Sequence, residues 1–260
     1  MSIDVRWGSA THRGRIRDRN EDAVLAGPDV FAVADGMGGH AGGQVASALA
    51  VAHLAAIRGL ADAEDPGSVV RHGLLGANRA IRERGATDPA VAGLGTTVAG
   101  IARTPDARVV VFHVGDSRVY RLRAGVLEQL TEDHSVVGEL IRAGEISPAE
   151  ARHHPHRSVV TRALGVVDAV DPVVRTVAVE VGDAFLVASD GLCNEVDDAA
   201  LGAILGAPGT ADERARRLVD AALDGGGRDN VSVVVVAVAG TRGGDHLDVD
   251  TTPSHHATAG

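Results

Sequence analysis

The sequence contains no lysine, a single cysteine and very few aromatic residues. All 25 of its lysine-plus-arginine total are arginines, which excludes a catalytic lysine, a Schiff base and a P-loop lysine. Phe, Trp and Tyr make up only 2% of the residues, so little is available for stacking nucleic-acid bases. The single cysteine, Cys193, cannot form a disulfide within the chain.

A long apolar run and a charged-then-apolar leader are also missing. The longest apolar run, near residues 231–239, is far shorter than the roughly 20 residues that span a bilayer. The formal net charge of −10 opposes binding to a polyanion unless arginines are concentrated locally or metal cations intervene. We therefore expect a soluble, cytoplasmic, monomeric protein that binds neither nucleic acid nor a membrane.

Helical periodicity indicates several amphipathic helices. Helices are predicted over residues 42–59 and 66–85, with others after Ala199 and Thr210. Capping boxes that begin at Ser147 and Thr210 mark two helix starts. The predicted apolar stripes are Val45, Leu49, Ala52 and Ala56 in the first helix and Val70, Leu74, Ala77 and Ile81 in the second.

Short Val-rich runs between turn residues indicate β-strands. Four runs within residues 96–130 predict an antiparallel meander, and residues 173–181 and 184–188 predict two more strands. Without an internal repeat or linker, residues 1–239 form one domain. Residues 240–260 have no periodicity and are predicted to be a disordered tail.

Two polar segments carry candidate binding residues. The arginine-rich segment 13–22 is either a solvated strand or loop, or a strand whose arginines hold an anion while Glu21 and Asp22 hold a cation. The long polar stretch 131–165 is typical of a lid or recognition flap. Its three histidines within residues 151–158 suggest zinc, but an exposed polar loop is favoured without cysteines or a firm i, i+4 pair.

Acidic residues recur where apolar strands meet glycine-containing turns. Asp35 follows the strand VFAVA directly, Asp116 and Asp190 follow later strands, and Asp229 precedes the last one. A single Asp-Gly is usually only a turn, so the recurrence is what favours a site. Converging carboxylates raise one another's pKa unless a cation neutralises them. All-oxygen ligands favour Mg²⁺ or Mn²⁺ over Zn²⁺.

Nine motifs then occur in a fixed order across nearly all of residues 8–238. They are RGRIRDRNEDA (13–23), ADGMGGHAGGQVAS (34–47), GLGTTV (93–98), VGDSRVY (114–120), TEDHS (131–135), GEISPAEA (144–151), HRSVVTRALG (156–165), SDGL (189–192) and GGRDNVSVVVV (226–236). In this order they resemble the metal-dependent protein phosphatases of the type 2C (PPM) family, in its compact bacterial form. The departures are small: Arg228 stands where proline is common in the family, and no expected metal ligand is missing.

The resemblance implies an α+β fold, in which a central sandwich of two antiparallel β-sheets is flanked by α-helices in four αββα layers. It also implies two Mn²⁺ or Mg²⁺ ions in a cleft at one end, with Asp35 bridging them. The other implied ligands are Glu21 and the Gly36 carbonyl for one ion, Asp190 and Asp229 for the second, and Asp116 for a possible third, weaker ion.

Catalytic roles also follow from the resemblance. Arg17 would bind the substrate phosphate through a bidentate contact, and the stretch 131–165 would be a mobile flap. A water that bridges two divalent cations is acidified and can attack phosphorus in line without a covalent intermediate. His40 is the candidate proton donor to the leaving oxygen, although a surface-loop histidine is the alternative. Cys193 lacks a basic neighbour in sequence and is interpreted as a core thiol.

The implied function is hydrolysis of phosphoserine and phosphothreonine in proteins, opposing bacterial Ser/Thr kinases. The expected partners are phosphorylated proteins, including such kinases and their substrates. One alternative is a non-catalytic partner-binding module with structural ions, which is disfavoured because every implied ligand is present. The other is a phosphatase specific for a phosphorylated anti-sigma antagonist.

Overall fold

The computed structural model describes residues 2–38, 42–60 and 62–242, and its main strands form two five-stranded antiparallel sheets. The first sheet has the spatial order β1 (Ser2–His12), β12 (Val231–Arg242), β11 (Ala184–Ala188), β8 (Arg118–Arg123) and β9 (Val126–Gln129). The second has the order β10 (Val173–Ala178), β7 (Arg108–Val114), β6 (Val98–Arg103), β3 (Val30–Ala34) and β2 (Ala23–Ala26). A small pair joins β4 (Gly36–Met37) to β5 (Gly95–Thr96).

Helices cover both outer faces of the sandwich. They are α1 (Gly42–Ala55), α2 (Pro66–Thr87), α3 (Val136–Arg142), α4 (Pro148–Ala151), α5 (Asp190–Cys193), α6 (Asp198–Gly206) and α7 (Ala211–Gly225). One apolar cluster joins α1 and α2 to the second sheet, and another joins α5, α6 and α7 to the first. The four αββα layers expected from the sequence are therefore confirmed.

The central strands bury both of their faces, and this explains their continuous apolar sequences. In β12, Val231, Val233 and Val235 pack beneath the helices, whereas Val234 and Val236 pack between the sheets. Side chains of a strand point alternately to opposite faces, so both faces of β12 must be apolar. Because aromatic residues are scarce, valine, alanine and leucine fill most of these layers.

The predicted four-strand meander is wrong in one respect. Strands β6 and β7 pair in the second sheet, whereas β8 and β9 pair in the first. The chain therefore crosses between the sheets in the turn at residues 115–117, where Gly115 has a φ of 108°. Local periodicity identifies each strand but carries no information about which sheet it joins.

Two helices differ from their predicted form. The stripe of α2 is confirmed, since Val70, Leu74, Ala77 and Ile81 are fully buried, but the helix continues past residue 85 to Thr87. In α1 the buried face is instead Ala46, Ala50 and Leu54, and the helix ends at Ala55. Small residues allow α1 to lie close to its neighbours, so the larger Val45 and Leu49 lie at the edge of the contact. Both predicted capping boxes are confirmed.

The two ends of the chain also refine the sequence interpretation. Strand β1 ends at His12, so the arginines of segment 13–22 lie in a loop and do not share the face of a strand. At the other end, β12 continues to Arg242, three residues beyond the predicted domain boundary. The rest of the predicted tail, residues 243–260, lies outside the described residues. No helix in the described part of the chain is both long and apolar enough to cross a membrane.

The contact between β1 and α7 yields a test of the packing. A Cβ at Gly8 would overlap the backbone of Asp212 at the start of α7, whereas a Cβ at Gly240, in the paired strand, would meet open space. We predict that Gly8→Ala lowers the free energy of unfolding by about 1–3 kcal/mol, because a rigid helix must shift. The control Gly240→Ala should change it by less than about 1 kcal/mol. Denaturant unfolding measures both, and equal effects would contradict this packing.

Candidate metal centre

Strand register brings the predicted acids to one end of the sandwich. Ala23 at the start of β2 lies opposite Ala34 at the end of β3, and Ala188 at the end of β11 lies opposite Val233 near the start of β12. Likewise, the last residue of β7 lies opposite the first residue of β6. The acids beside these strand ends are Glu21 and Asp22 before β2, Asp35 after β3, Asp116 after β7, Asp190 after β11 and Asp229 before β12.

A cleft of about 720 Å³ opens at this end of the molecule. Seven residues singled out in the sequence line it together: Arg17, Glu21, Asp35, Gly36, Asp116, Asp190 and Asp229. The eighth, His40, lies outside the described residues. Residues more than 200 positions apart in the sequence therefore face one another across a single cavity.

Asp35 lies among other carboxyl groups. Burial raises its pKa well above the usual range, and the neighbouring Asp22, Asp190 and Asp116 raise it further. Its backbone is held firmly: the amide donates to the Thr97 hydroxyl at 3.3 Å, and the carbonyl accepts from the Thr96 hydroxyl at 2.8 Å. The backbone therefore fixes an acid in surroundings that disfavour its charge.

Two buried carboxylate oxygens in the described residues have no hydrogen-bond partner. They are Oδ1 of Asp22 and Oδ1 of Asp190. The second oxygen of each is bonded, since Ser189 donates to Asp22 at 3.0 Å and Asn194 donates to Asp190 at 3.0 Å. Burial raises the pKa of Asp22 to about 7 and also raises that of Asp190. An unsatisfied buried oxygen is costly, so these atoms fit a bound cation.

Asp229, one of the acids of the cleft, forms an ion pair with Arg17. The Arg17 guanidinium donates to Oδ2 of Asp229 at 2.8 Å, and this contact raises the pKa of Arg17. About half of the Arg17 side chain, 57%, remains exposed to solvent, so further donors of its guanidinium can reach an incoming group.

Asn230 is a positioning residue that the sequence interpretation did not single out. It is 5% exposed, and its side-chain amide donates to the carbonyls of Arg13 and Arg19 at 2.9 and 2.8 Å. Its side-chain oxygen accepts from the amide of Glu21 at 2.8 Å. One side chain thereby fixes the loop that carries Arg17 to the strand start that carries Asp229. The only sequence signal was its place beside Asp229.

Close backbone packing explains the glycines beside Glu21. A Cβ at Gly36 would overlap the carbonyl of Gly43, and a Cβ at Gly43 would overlap a carboxylate oxygen of Glu21. The start of α1 therefore lies directly against Glu21 and the backbone of Gly36. Glycine is needed here because the backbones approach closely, and this leaves the Gly36 segment at the cleft surface.

Asp116 lies in the turn that crosses between the sheets. It is 7% exposed, and burial together with the neighbouring Asp190 raises its pKa to about 8. The next residue, Ser117, hydrogen-bonds through its hydroxyl to that of Thr97 at 2.7 Å. Thr97 also binds the amide of Asp35, so one buried hydroxyl connects the turns that carry two of the acids.

The donor set has the chemistry of a site for hard divalent cations. It consists of oxygen atoms, several of them buried, and these favour Mg²⁺ or Mn²⁺. Within residues 2–38, 42–60 and 62–242, no three His, Cys, Asp or Glu side chains converge closely enough to hold an ion in their present positions. The fit of these residues to a divalent cation therefore rests on the unpaired buried oxygens and on the grouping of carboxyl groups in one cleft.

Two other candidates from the sequence do not form a site. Burial raises the pKa of the Cys193 thiol to about 11, and the Tyr120 hydroxyl donates to its sulfur at 3.6 Å, which fits an unreactive, partly buried thiol packed against the core. In the flap, the His154 and His156 rings stack edge to face at 5.6 Å, and no three metal-ligating side chains of the described residues are placed there to hold an ion.

Comparisons with known proteins agree with this architecture. A family model described as Protein phosphatase 2C matches residues 11–224. The serine/threonine protein phosphatase PstP of Mycobacterium tuberculosis is 41% identical over 246 residues, which are 92% of this chain but 46% of that protein. The chain thus spans about half the length of this relative.

Two further matches cover nearly the whole of the compared chain. The serine/threonine phosphatase stp of Listeria monocytogenes is 40% identical over 235 residues, which are 87% of this chain and 93% of that protein. The crystal structure of the catalytic domain of PstP in complex with two manganese ions has a TM-score of 0.84 at 38% identity, covering 91% of this chain and 99% of that one. This chain belongs to the protein phosphatase 2C family.

Proposed function

We propose that this chain hydrolyses phosphoserine and phosphothreonine in proteins, with divalent metal ions held in the acidic cleft. The observation that carries the proposal is that the implied ligands and Arg17 line one cavity. The family membership and the phosphatase names of its relatives support the same activity. We further propose that residues 1–242 form a monomeric catalytic domain and that the protein acts in the cytoplasm on phosphoproteins that include bacterial Ser/Thr kinases.

The metal assignment follows the family resemblance. Asp35 would bridge two Mn²⁺ or Mg²⁺ ions, since it lies among the other acids of the cleft. The remaining proposed ligands are Glu21 and the Gly36 carbonyl for one ion, Asp190 and Asp229 for the other, and Asp116 for a third, weaker ion. Bound divalent ions would lower the pKa of water for in-line attack on phosphorus. The manganese in the related PstP domain supports this choice of metal.

Arg17 is proposed to bind the substrate phosphate. A guanidinium presents five donors in a planar fork, and the contact with Asp229 occupies only one of its nitrogens. The cation therefore remains close to the carboxylates and can still donate to two phosphate oxygens. Asn230 keeps the loop that carries Arg17 in register with β12. His40 remains the proposed proton donor to the leaving oxygen.

Neither alternative function gains support from a specific observation. A non-catalytic module with structural ions would not need a partly exposed arginine beside the acids, and the relatives named above are phosphatases. Restriction to one anti-sigma antagonist would depend on substrate contacts in the flap.

Metal removal tests the proposed activity. We predict that Mn²⁺ supports hydrolysis of p-nitrophenyl phosphate and of phosphoserine peptides, and that EDTA abolishes both. Asp35→Asn and Asp190→Asn should lower turnover by about two orders of magnitude or more, because bound metal supplies several kcal/mol of transition-state stabilisation. Asp220→Asn, on the exposed face of α7, is the matched control and should retain activity. Undiminished wild-type turnover after complete chelation would contradict the proposed metal-dependent activity.

The raised carboxyl pKa values predict how stability without metal depends on pH. Asp22 and Asp116 have folded pKa values of about 7 and about 8, so the folded state keeps protons that the unfolded chain loses near pH 4. Stability from these groups is therefore complete at low pH and is lost as pH rises through the folded values. We predict that the free energy of unfolding in EDTA falls between about pH 6.5 and 8, by up to roughly 1.4 kcal/mol per pH unit per proton.

The range of about pH 6.5 to 8 avoids an opposing contribution of two histidines to the free energy of unfolding. Burial lowers the pKa of His113 and of His134, the latter to about 4, so these two groups add stability with rising pH up to about 6.5. Denaturant unfolding of wild type and Asp116→Asn over the upper window isolates the carboxyl contribution. With Mn²⁺ present, the stabilisation by metal should grow with pH, because ligands bind in their deprotonated form. A flat or rising wild-type profile in EDTA would contradict the prediction.

A further inference from the structure

A second, larger groove of about 1010 Å³ is continuous with the acidic cleft. Five residues line both cavities: Arg17, Asp116, Ser158, Asp190 and Asp229. From there the groove extends between two walls. The flap forms one wall with α3, α4 and the turn after α4, and α5 and the start of α6 form the other. A polypeptide whose phosphorylated residue enters the cleft therefore has a path for its neighbouring residues.

The flap wall of the groove carries unpaired positive charge. Arg142, Arg152 and Arg157 line it, and all three are exposed. Arg142 is engaged, because it donates to the carbonyl of Asp133 at 3.0 Å. In the described part of the chain, the side chains of Arg152 and Arg157 have no hydrogen-bond or ion-pair partner. Free arginines beside a cavity are notable in a protein whose net charge is −10.

Several acids of the groove, by contrast, are already engaged with arginines of the protein. Arg118 binds both carboxylate oxygens of Asp133, at distances between 2.7 and 3.1 Å. Arg228 binds Glu195 at 2.7 Å, and the Glu195 side chain is only 4% exposed. Arginines therefore neutralise these two partly buried acids of the groove, whereas Arg152 and Arg157 on the flap side remain free. Two exposed acids, Glu132 and Asp198, also line the groove.

The lining of the groove also suits a peptide. Val137, Ile141, Pro148 and Ala151 give it an apolar strip. Among its described lining residues there is no Phe, Tyr or Trp on which a nucleic-acid base could stack. A peptide needs apolar and charged contacts along a trough, whereas single-stranded nucleic acid usually needs aromatic rings. The lining therefore favours a polypeptide.

We propose that Arg152 and Arg157 bind anionic groups on residues flanking the phosphorylated serine or threonine, so that the groove selects acidic phosphopeptides. This inference rests on the proposed phosphatase function. The anionic group can be a carboxylate or a second phosphate, since an arginine fork binds both. Because both arginines are exposed, each contact is expected to change binding by about two- to five-fold and to weaken as salt is added.

The test compares phosphoserine peptides that differ only in their flanking residues. Four versions carry neutral residues, aspartates, lysines or a second phosphoserine, placed on either side of the reacting residue. For each enzyme, the ratio of kcat/KM for the acidic peptide to that for the neutral peptide is measured with Mn²⁺. The enzymes are wild type, the double variant Arg152→Ala/Arg157→Ala, the charge reversal Arg152→Glu/Arg157→Glu, and Arg79→Ala. Arg79 is an exposed arginine of α2 that lines neither cavity.

The wild type and Arg79→Ala should both prefer the acidic peptide by roughly tenfold, mainly through KM. The double alanine variant should lose this preference, and the charge reversal should prefer the lysine peptide. The second-phosphoserine arm tells whether phosphate binds better than carboxylate. An equal ratio in the wild type and the double variant overturns the inference, as does tighter inhibition by single-stranded nucleic acid than by an acidic peptide.

Hydrolysis of p-nitrophenyl phosphate distinguishes a wrong assignment of the groove from a wrong assignment of the phosphatase function. If the wild type hydrolyses it with Mn²⁺ but shows no flanking preference, only the groove assignment is wrong. If the wild type does not hydrolyse it, the proposed phosphatase function itself fails. Circular dichroism of each variant excludes loss of folding as the cause of a changed ratio.

Discussion

Repulsion among carboxylates at one end of the sandwich is the constraint on which the rest of the site depends. The pairing of β2 with β3 and of β11 with β12 brings acids from distant parts of the chain together. Burial and neighbouring acids raise the pKa of Asp35 well above its usual range, and buried oxygens of Asp22 and Asp190 lack partners. Without metal, the raised pKa values and the unpaired oxygens therefore lower the stability of the fold at neutral pH, and bound cations would offset that cost.

The surrounding structure holds the carboxylates in place against this repulsion. The Thr97 hydroxyl connects the turns of Asp35 and Asp116, and Asn230 ties the Arg17 loop to β12. Positive charge is arranged around the acids: Arg17 contacts Asp229, while Arg152 and Arg157 stand farther along the groove. In the proposed function, the acids of the cleft would hold the metal ions and the arginines of the groove would bind the residues flanking the phosphorylated side chain.

Much of the fold could be predicted because its signals are local. The continuous apolar run of β12, the helical stripe of α2 and the capping boxes each depend on neighbours in sequence. The acids of the cleft were identifiable because strand-end carboxylates recur and because their order resembles a known family. The crossing between sheets at residues 115–117, the buried face of α1 and the clamp made by Asn230 were not identifiable. They depend on contacts between segments up to 217 residues apart, which no local pattern encodes.

The most direct test is the free energy of unfolding of wild type and Asp35→Asn, each measured at neutral pH in EDTA and in Mn²⁺. Without metal the variant should be more stable than the wild type, because an amide removes the ionisable group whose pKa burial and neighbouring acids raise. Mn²⁺ at about a hundred times its dissociation constant should add about 2.7 kcal/mol to the wild type and little to the variant. A variant that is less stable without metal yet gains as much from Mn²⁺ would contradict the account.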